Sequence, residues 1–223
     1  MKAREVAGGG LAVEVSQDRL DGWFARFAQR NSGVVSTELR ASEVIVRGGN
    51  GTTAQVAVPF PPFSVSGSFE GLHVDALAEH LAVPRTVGLL LVRLGGHSLG
   101  LARAGSVLVS RTDRHLVHGR SAAGGWSQQR FARRREGQAR QALRAAAEDA
   151  FEVLVPRLSE MDGLFLGGDR RALDELREDR RLTPLFARAE ARVLDIPEPR
   201  RTVLDDAAER VLGVVIVVKG PSD

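Results

Sequence analysis

The sequence predicts a mixed α/β fold, in which helices flank a β-sheet. Residues 86–119 form three strand patterns separated by Gly-Gly and Ala-Gly turns, which is typical of an antiparallel meander. From residue 127 onward, helix and strand patterns alternate, which indicates strands joined by crossover helices. The middle of the first strand, GLLLV (88–92), is apolar throughout, so we expect this strand to be central and buried on both faces.

The residues before 86 predict a strand, a helix, a β-hairpin and a second short helix. The first helix follows Ser16, a good N-cap residue, and carries apolar residues at helical spacing. The hairpin is indicated by the turn GGNG between two alternating segments. In chain order, these elements are expected at 11–15, 17–30, 43–60 and 73–81.

A long helix dominates the second half of the sequence. It is expected from Ser127 to about residue 157, with Pro156 ending it. Two strand–helix pairs and a last strand follow, at 163–169, 170–179, 191–196, 201–212 and 214–220. We therefore expect one domain, 1–223, with its core at 86–218 and with 1–85 as an N-terminal hairpin and helix portion.

The composition excludes several classes of protein. The chain has 223 residues, 43% of them hydrophobic, and no cysteine, so no disulfide and no cysteine-ligated metal site can form. The longest apolar runs, 87–92 and 211–218, are too short for a membrane-spanning helix, which needs about 20 residues. The N-terminus lacks the apolar segment of a signal peptide. We therefore expect a soluble cytoplasmic protein that does not insert into a membrane.

Positive charge is concentrated in one segment. The net charge of the chain is +3, but residues 111–144 carry nine arginines against Asp113 and Glu136, a local balance of +7. Such clustering predicts a polyanionic partner that is bound at one place. The alternative interpretation is a solvated, arginine-rich helix.

The segment HGRSAAGGWSQQRFARRREGQ (118–138) contains the most specific pattern. Its ordered combination of HGR, Gly-Gly, a serine and an arginine-rich helix start resembles the middle domain of the eukaryotic and archaeal class I translation termination factor. In that family, HGR runs directly into Gly-Gly-Gln. The similarity extends more loosely over 86–218, and it implies a mixed sheet of the ribonuclease H-like type.

Departures from that pattern indicate a different branch. Ser-Ala-Ala (121–123) separates HGR from Gly-Gly, and Trp126 stands where the termination factor has its glutamine. The stretch GWSQ (125–128) instead completes a Gly-x-x-Gln pattern. That pattern resembles the release-factor-like peptidyl-tRNA hydrolases of ribosome quality control, in their actinobacterial branch. Residues 1–85 show no codon-reading motif, so the resemblance implies release regardless of the codon.

The resemblance implies hydrolysis of the ester between a nascent peptide and the terminal adenosine of tRNA. A glutamine amide does not titrate, so we expect it to hold the attacking water in line and to stabilise the transition state. Gln128 is the first candidate for this role and Gln129 the alternative. Glycines let the backbone approach the tRNA end, and Trp126 either stacks on a base or packs on its own domain. The candidate catalytic residues are Gln128 and Gly125, with Gly124, Trp126, Ser127 and Gln129 as loop or alternative positions.

Arginines around the loop are expected to contact RNA, because those on the helix cover too many directions for all of them to face a core. They are Arg120, Arg130, Arg133, Arg134 and Arg135. The resemblance implies peptidyl-tRNA and the peptidyl transferase centre of the large ribosomal subunit as partners, a monomeric protein, no cofactor and no metal. His115 and His118 lie three apart on a strand pattern and point to opposite faces, which argues against a shared metal.

Three functions remain open from the sequence. The first is codon-independent hydrolysis of peptidyl-tRNA on stalled ribosomes or large subunits. The second is a nuclease that cuts the CCA end of the tRNA, and the third is a non-catalytic module that binds ribosomes. The presence of Gln128 argues against the third.

Overall fold

A computed structural model describes residues 3–6, 9–93, 95–114 and 126–221, without the side chains of 126–135. The chain divides into two compact units, Met1–Pro84 with Arg210–Asp223, and Arg85–Glu209. The division after Pro84 lies one residue from the boundary expected between the N-terminal portion and the core. That the second unit is the catalytic part stays a prediction.

The described residues form twelve strands and six α-helices. In chain order the elements are β1 (Ala3–Glu5), β2 (Leu11–Val15), α1 (Leu20–Arg30), β3 (Val34–Arg40), β4 (Glu43–Gly48), β5 (Thr53–Ala57), β6 (Gly67–Glu70), α2 (Asp75–Ala82), β7 (Thr86–Arg93), β8 (Gly96–Arg103), β9 (Ser106–Arg114), α3 (Trp126–Val153), β10 (Gly163–Gly168), α4 (Arg170–Arg177), α5 (Thr183–Phe186), β11 (Ala189–Leu194), α6 (Arg201–Arg210) and β12 (Val214–Lys219).

The first unit is built on a seven-stranded antiparallel sheet, in the order β1-β2-β12-β5-β4-β3-β6. Apolar side chains alternate along the central strands because successive residues of a strand point to opposite faces. The inward-pointing ones, such as Val46 and Ile216, pack with Phe24 of α1 and Leu77 of α2. The GGNG hairpin between β4 and β5 is confirmed.

Two sequence predictions about this unit need correction, and some of its strands have no counterpart in the sequence patterns. The last strand, β12, was expected to end the core, but it pairs with β2 and β5 of the first sheet. The side chain of Ser16 makes no capping hydrogen bond, and a 3₁₀ turn at Gln17–Arg19 precedes α1. The patterns do not predict β3 and β6, because β3 mixes polar and apolar residues and β6 is exposed throughout.

The second unit contains a five-stranded mixed sheet in the order β11-β10-β7-β8-β9. Strands β7, β8 and β9 form the predicted antiparallel meander, and β10 runs parallel to both β7 and β11. As predicted, β7 is buried from Thr86 to Val92. The helices α3 and α4 cover one face of this sheet, where Ala150 and Leu173 pack with Leu90 and Leu166. The mixed α/β fold class is therefore confirmed.

One edge of the second sheet is important for the candidate site. Because β9 runs parallel to β7, the carboxyl ends of β7, β9, β10 and β11 all lie at the same edge, which we call the carboxyl edge. Strand β9 reaches this edge at Arg114, and α3 begins twelve residues later at Trp126. The chain therefore enters and leaves segment 115–125 beyond the carboxyl edge.

The long helix ends earlier than predicted. It stops at Val153, and Pro156 lies in the 3₁₀ segment Val155–Glu160 that follows. Proline lacks a backbone N–H and disfavours helical geometry in the residue before it, so the helix ends ahead of Pro156. Among the described residues, none of the helices combines the length and the apolar character that crossing a membrane requires.

Candidate functional site

The candidate glutamines lie at the start of α3, the longest helix that the structure describes. Its 28 residues correspond to about 42 Å. The backbone of Trp126, Ser127, Gln128 and Gln129 forms the first helical turn. Trp126 was expected on the glycine loop, but it is the first helical residue, because no helix-breaking residue lies between Gly125 and Glu136.

Several other predicted residues either fall outside the described residues or are described without their side chains. Gly124, Gly125 and Arg120 fall outside the described residues, as do His115 and His118. The arginines expected to bind RNA are helical in backbone, but their side chains are not described: Arg130, Arg133, Arg134 and Arg135. Their roles therefore stay predictions.

Among the side chains of α3 that the structure describes, the buried ones lie in its later part. The side chains of residues 136–141 are exposed or half-buried, and the first fully buried residue of the described helix surface is Ala142. Further buried positions follow at Ala146, Ala147, Ala150 and Val153. We call 142–153 the anchored half of α3 and 126–141 its projecting half.

The projecting half extends past the carboxyl edge. Asp149 contacts His97 near the start of β8 and Arg111 near the end of β9, so this part of α3 lies close to that edge. From there the helix runs toward the opposite edge, where Asp162 accepts a hydrogen bond from the backbone N–H of Thr86, the first residue of β7. The projecting half of α3, which precedes the anchored half, therefore extends away from the sheet. Gln128 lies fourteen residues before Ala142, or about 21 Å along the helix axis.

A polar network joins the anchored half to two strands. His97 Nε2 lies 2.8 Å from Asp149 Oδ2, and Arg111 Nη1 donates to Asp149 Oδ1 at 2.8 Å and to Glu152 Oε2 at 2.5 Å. The His97 side chain is fully buried, and that of Asp149 is 18% exposed. Both carboxylate oxygens of Asp149 are thus occupied, each by a different strand.

The network changes the acidity of its members. Burial acts to raise the pKa of Asp149, but hydrogen bonds from Arg111 and His97 outweigh it, and the pKa lies below its ordinary value. Hydrogen bonds to Asp149 and Glu152 raise the pKa of Arg111. Asp149 and Arg111 therefore stay charged in the folded protein at neutral pH.

An exposed cluster holds the other side of the anchored half. Arg181 Nη1 donates to Glu148 Oε2 at 2.9 Å and its guanidinium lies 5.1 Å from the centre of the Phe151 ring. Arg181 also pairs with Asp179, and the hydrogen bond from Arg181 lowers the pKa of Asp179. Exposed ion pairs of this kind contribute about 0–1 kcal/mol each.

The chain is also held where it enters the candidate loop. Arg114, the last residue of β9, donates to Glu198 Oε2 at 3.1 Å, and Arg200 donates to the same oxygen at 3.0 Å. The hydrogen bond from Arg200 and the charge of Arg114 lower the pKa of Glu198. Segment 115–125 thus begins from a position that is tied to the 195–200 connection.

The sequence patterns did not predict this network. The available signal was polar residues at apolar positions: His97 interrupts a strand that is otherwise small or apolar, and Asp149 adjoins Ala150 on the apolar stripe of α3. In the part of the chain that the structure describes, no three His, Cys, Asp or Glu side chains lie together as a metal site would require.

The amino-acid sequence is similar to known release factors. A family model described as Actinobacteria/chloroflexi VLRF1 release factor matches residues 85–217, which is more than half of the chain. A curated relative, peptide chain release factor subunit 1 of Thermococcus sibiricus, is 30% identical over 106 residues. That match covers 47% of this chain and 26% of the relative, so the chain spans about a quarter of the relative's length.

Two solved structures are also similar. An archaeal translation termination factor has 13% sequence identity and a TM-score of 0.44, and the match covers 89% of this chain and 72% of that one. Pelota from Archaeoglobus fulgidus has 10% identity and a TM-score of 0.28, with 95% of this chain and 65% of that one covered. The range matched by the family model includes segment 115–125 and the whole of α3.

Proposed function

The chain belongs to the Actinobacteria/chloroflexi VLRF1 release factor family, and from this membership we propose that it hydrolyses peptidyl-tRNA on stalled ribosomes or large subunits, without reading a codon. The observation that supports this proposal is the placement of Gln128. It lies in the first turn of α3, three residues after Gly125 and about 21 Å along the helix axis from Ala142, the first fully buried residue among the helix side chains that the structure describes. Such a projection suits a substrate that lies deep inside an RNA-walled site.

The proposed reaction is the attack of water on the ester carbonyl carbon. The bond between that carbon and the ribose oxygen of the terminal adenosine breaks, the peptide leaves as a carboxylic acid, and a proton passes to the ribose oxygen. The Gln128 side-chain amide holds the water in line with the carbonyl, and it does not act as a base because it does not titrate. Gly124 and Gly125 keep Cβ atoms away from the tRNA end.

The start of α3 adds a second contribution. The first four backbone N–H groups of a helix have no partner within the helix, and they form the positive end of its dipole. At the tip of α3 these groups stabilise the negative charge that develops on the carbonyl oxygen of the ester during attack. The following arginines, from Arg130 to Arg135, hold the helix against RNA phosphates. The proposal requires the protein to act in the cytoplasm, where the ribosomes are.

The test measures release from large ribosomal subunits that carry peptidyl-tRNA, with the protein in excess over the complex. We expect Gln128→Ala to lower the release rate by about 10²–10³-fold, as the loss of one transition-state contact does in other acyl hydrolases. The matched control is Gln141→Ala, an exposed glutamine on the same helix, which we expect to leave the rate within about twofold of wild type.

Each other result has a defined meaning. If only Gln129→Ala loses release, Gln129 rather than Gln128 positions the water. If Gln128→Ala and Gln129→Ala both release peptide at the normal rate, the proposed mechanism is rejected. Sequencing the tRNA 3′ end separates the two enzymatic alternatives, because ester hydrolysis leaves CCA intact whereas a nuclease shortens it. Binding of the wild-type protein without any release identifies a non-catalytic module.

A further inference from the structure

We infer that Asp149, His97 and Arg111 are positioning residues, which set the direction in which α3 carries Gln128. The inference rests on the proposed function, because it concerns the placement of the same glutamine. None of the three contacts the substrate in this scheme. They act through the orientation of a rigid helix.

The apolar contacts of the anchored half do not set that orientation by themselves. Four of its five buried residues are alanines, and the fifth is Val153. Of these, Ala146, Ala147, Ala150 and Val153 belong to the core of the unit, with Leu143 half-buried against it. Alanine methyl groups let a helix approach a sheet closely, but they interlock less with their neighbours than larger side chains do. We therefore assign the orientation of the helix to directional polar contacts that act together with this surface.

The network around Asp149 provides those directional contacts. One carboxylate is held by β8 through His97 and by β9 through Arg111, at 2.8 Å in both cases. Two neighbouring strands therefore hold the helix at the same residue, Asp149. Glu152, three residues further along α3, accepts a second hydrogen bond from Arg111. These contacts restrict rotation of the helix about its own axis as well as its tilt.

The buried histidine shows that this site is not optimised for packing alone. His97 Nδ1 is buried and has no hydrogen-bond partner among the residues that the structure describes. A buried polar atom without a partner costs about 1–3 kcal/mol, which an apolar side chain of similar size avoids. The histidine is therefore explained by the hydrogen bond between its Nε2 and Asp149 rather than by stability.

Because α3 is long, a small change of its tilt at Asp149 becomes a large displacement at its first turn. Gln128 lies 21 residues before Asp149, or about 32 Å along the axis. A tilt of about 5° at Asp149 therefore moves Gln128 by about 3 Å. A displacement of about 1 Å in a reacting geometry already costs up to about a hundredfold in rate. The orientation of α3 at Asp149 thus decides whether Gln128 reaches the ester.

The first measurement separates rate from binding. We expect Asp149→Asn to lower the release rate at saturating protein by about tenfold or more, while the half-saturating concentration changes by less than about twofold. The matched control is Glu148→Gln, which removes the neighbouring ion pair to the exposed Arg181 and is expected to stay within about twofold of wild type. Arg111→Gln is a second variant with a lower risk of misfolding, because the Arg111 side chain is 44% exposed.

The second measurement observes the helix directly and needs no ribosome. The chain has no cysteine, so spin labels attach specifically to Glu136→Cys on the projecting half and Arg103→Cys at the end of β8, both exposed in the second unit. We expect Asp149→Asn to broaden or shift the distance distribution between the labels by about 2 Å or more. Glu148→Gln is expected to leave the distribution unchanged.

The combined outcomes distinguish the inference from the proposed function. An unchanged distance distribution in Asp149→Asn and Arg111→Gln overturns the inference, whatever happens to release. A broadened distribution with normal release also overturns it, because the orientation then has no effect on the reaction. If Gln128→Ala releases peptide normally, the proposed function fails, and a broadened distribution then shows only that Asp149 orients the helix.

Discussion

The anchored and projecting halves of α3 form one continuous helix, but they carry opposite charge. The projecting half, 126–141, contains five arginines and one glutamate, whereas the anchored half, 142–153, contains one arginine and three acidic residues. The acidic residues of the anchored half pair with arginines and a histidine of the same unit. The acidic residues of the anchored half are thus paired within the fold, and binding of a polyanion by the arginines of the projecting half stays a prediction.

The two halves also differ in how closely their small residues are packed. Four of the five alanines in the anchored half are buried, and those at 146, 147 and 150 pack in the core against the sheet. The single glycine of the projecting half, Gly137, has no atom within 4 Å of the place where a Cβ would be. A small residue is therefore required by packing at Ala146 and Ala150, but packing does not require one at Gly137.

The largest effect is expected from removing the charge of the projecting half. Replacing four arginines with glutamine should weaken binding to large ribosomal subunits by about a hundredfold or more at physiological salt. It should also reduce the slope of log affinity against log salt concentration by about one for each arginine removed. The four residues are Arg130, Arg133, Arg134 and Arg135. Binding is measured by co-sedimentation over a range of salt concentrations.

A matched control makes the same charge change on the first unit. It replaces four arginines that are exposed there, namely Arg4, Arg26, Arg30 and Arg47. We expect little change in affinity from this variant. An equal loss in both variants would show that binding follows net charge, and the division of α3 into two functional halves would then be wrong.

An intermediate effect is expected from enlarging a side chain of the anchored half. Ala146 is fully buried against the sheet, so Ala146→Leu should destabilise the protein by about 1–3 kcal/mol through overpacking. The control is Gln141→Leu on the exposed surface of the projecting half, which should change stability by less than about 0.5 kcal/mol. Urea denaturation measures both, and equal losses would contradict the assignment of the boundary at Ala142.

The smallest effect is expected at the glycine of the projecting half. Gly137→Ala should stabilise the protein or the isolated helix by about 0.5–1 kcal/mol, because it lowers the entropy of the unfolded chain and meets no neighbour. Circular dichroism during thermal unfolding measures the change. Gly100→Ala in β8 provides the contrast, because its Cβ would lie 2.0 Å from the Val109 carbonyl oxygen and should therefore destabilise the sheet. A destabilising Gly137→Ala would indicate that the projecting half packs against another part of the protein.

Sequence reasoning succeeded where neighbouring residues determine structure. The apolar run of β7 indicated a central strand, the GGNG turn indicated the hairpin of β4 and β5, and the stripe of α3 indicated a long helix. It did not place β12, because a short apolar strand fits either sheet equally well by pattern alone. The positions of the candidate glutamines on α3 followed from the sequence, but the extent of the projecting half did not.

The amino-acid sequence by itself indicated the strands and the longer helices of the second unit but not α5, as well as the resemblance to release factors and the candidate residues Arg120 and 124–135. These depend on local periodicity, turn chemistry and motif order, which are all readable within a few residues. Only the tertiary structure decided that the last strand joins the first sheet and that Asp149 meets His97 and Arg111. Those contacts join residues 52 and 38 positions apart, so they depend on how the strands pair and how the helix packs, and no short stretch of sequence encodes them.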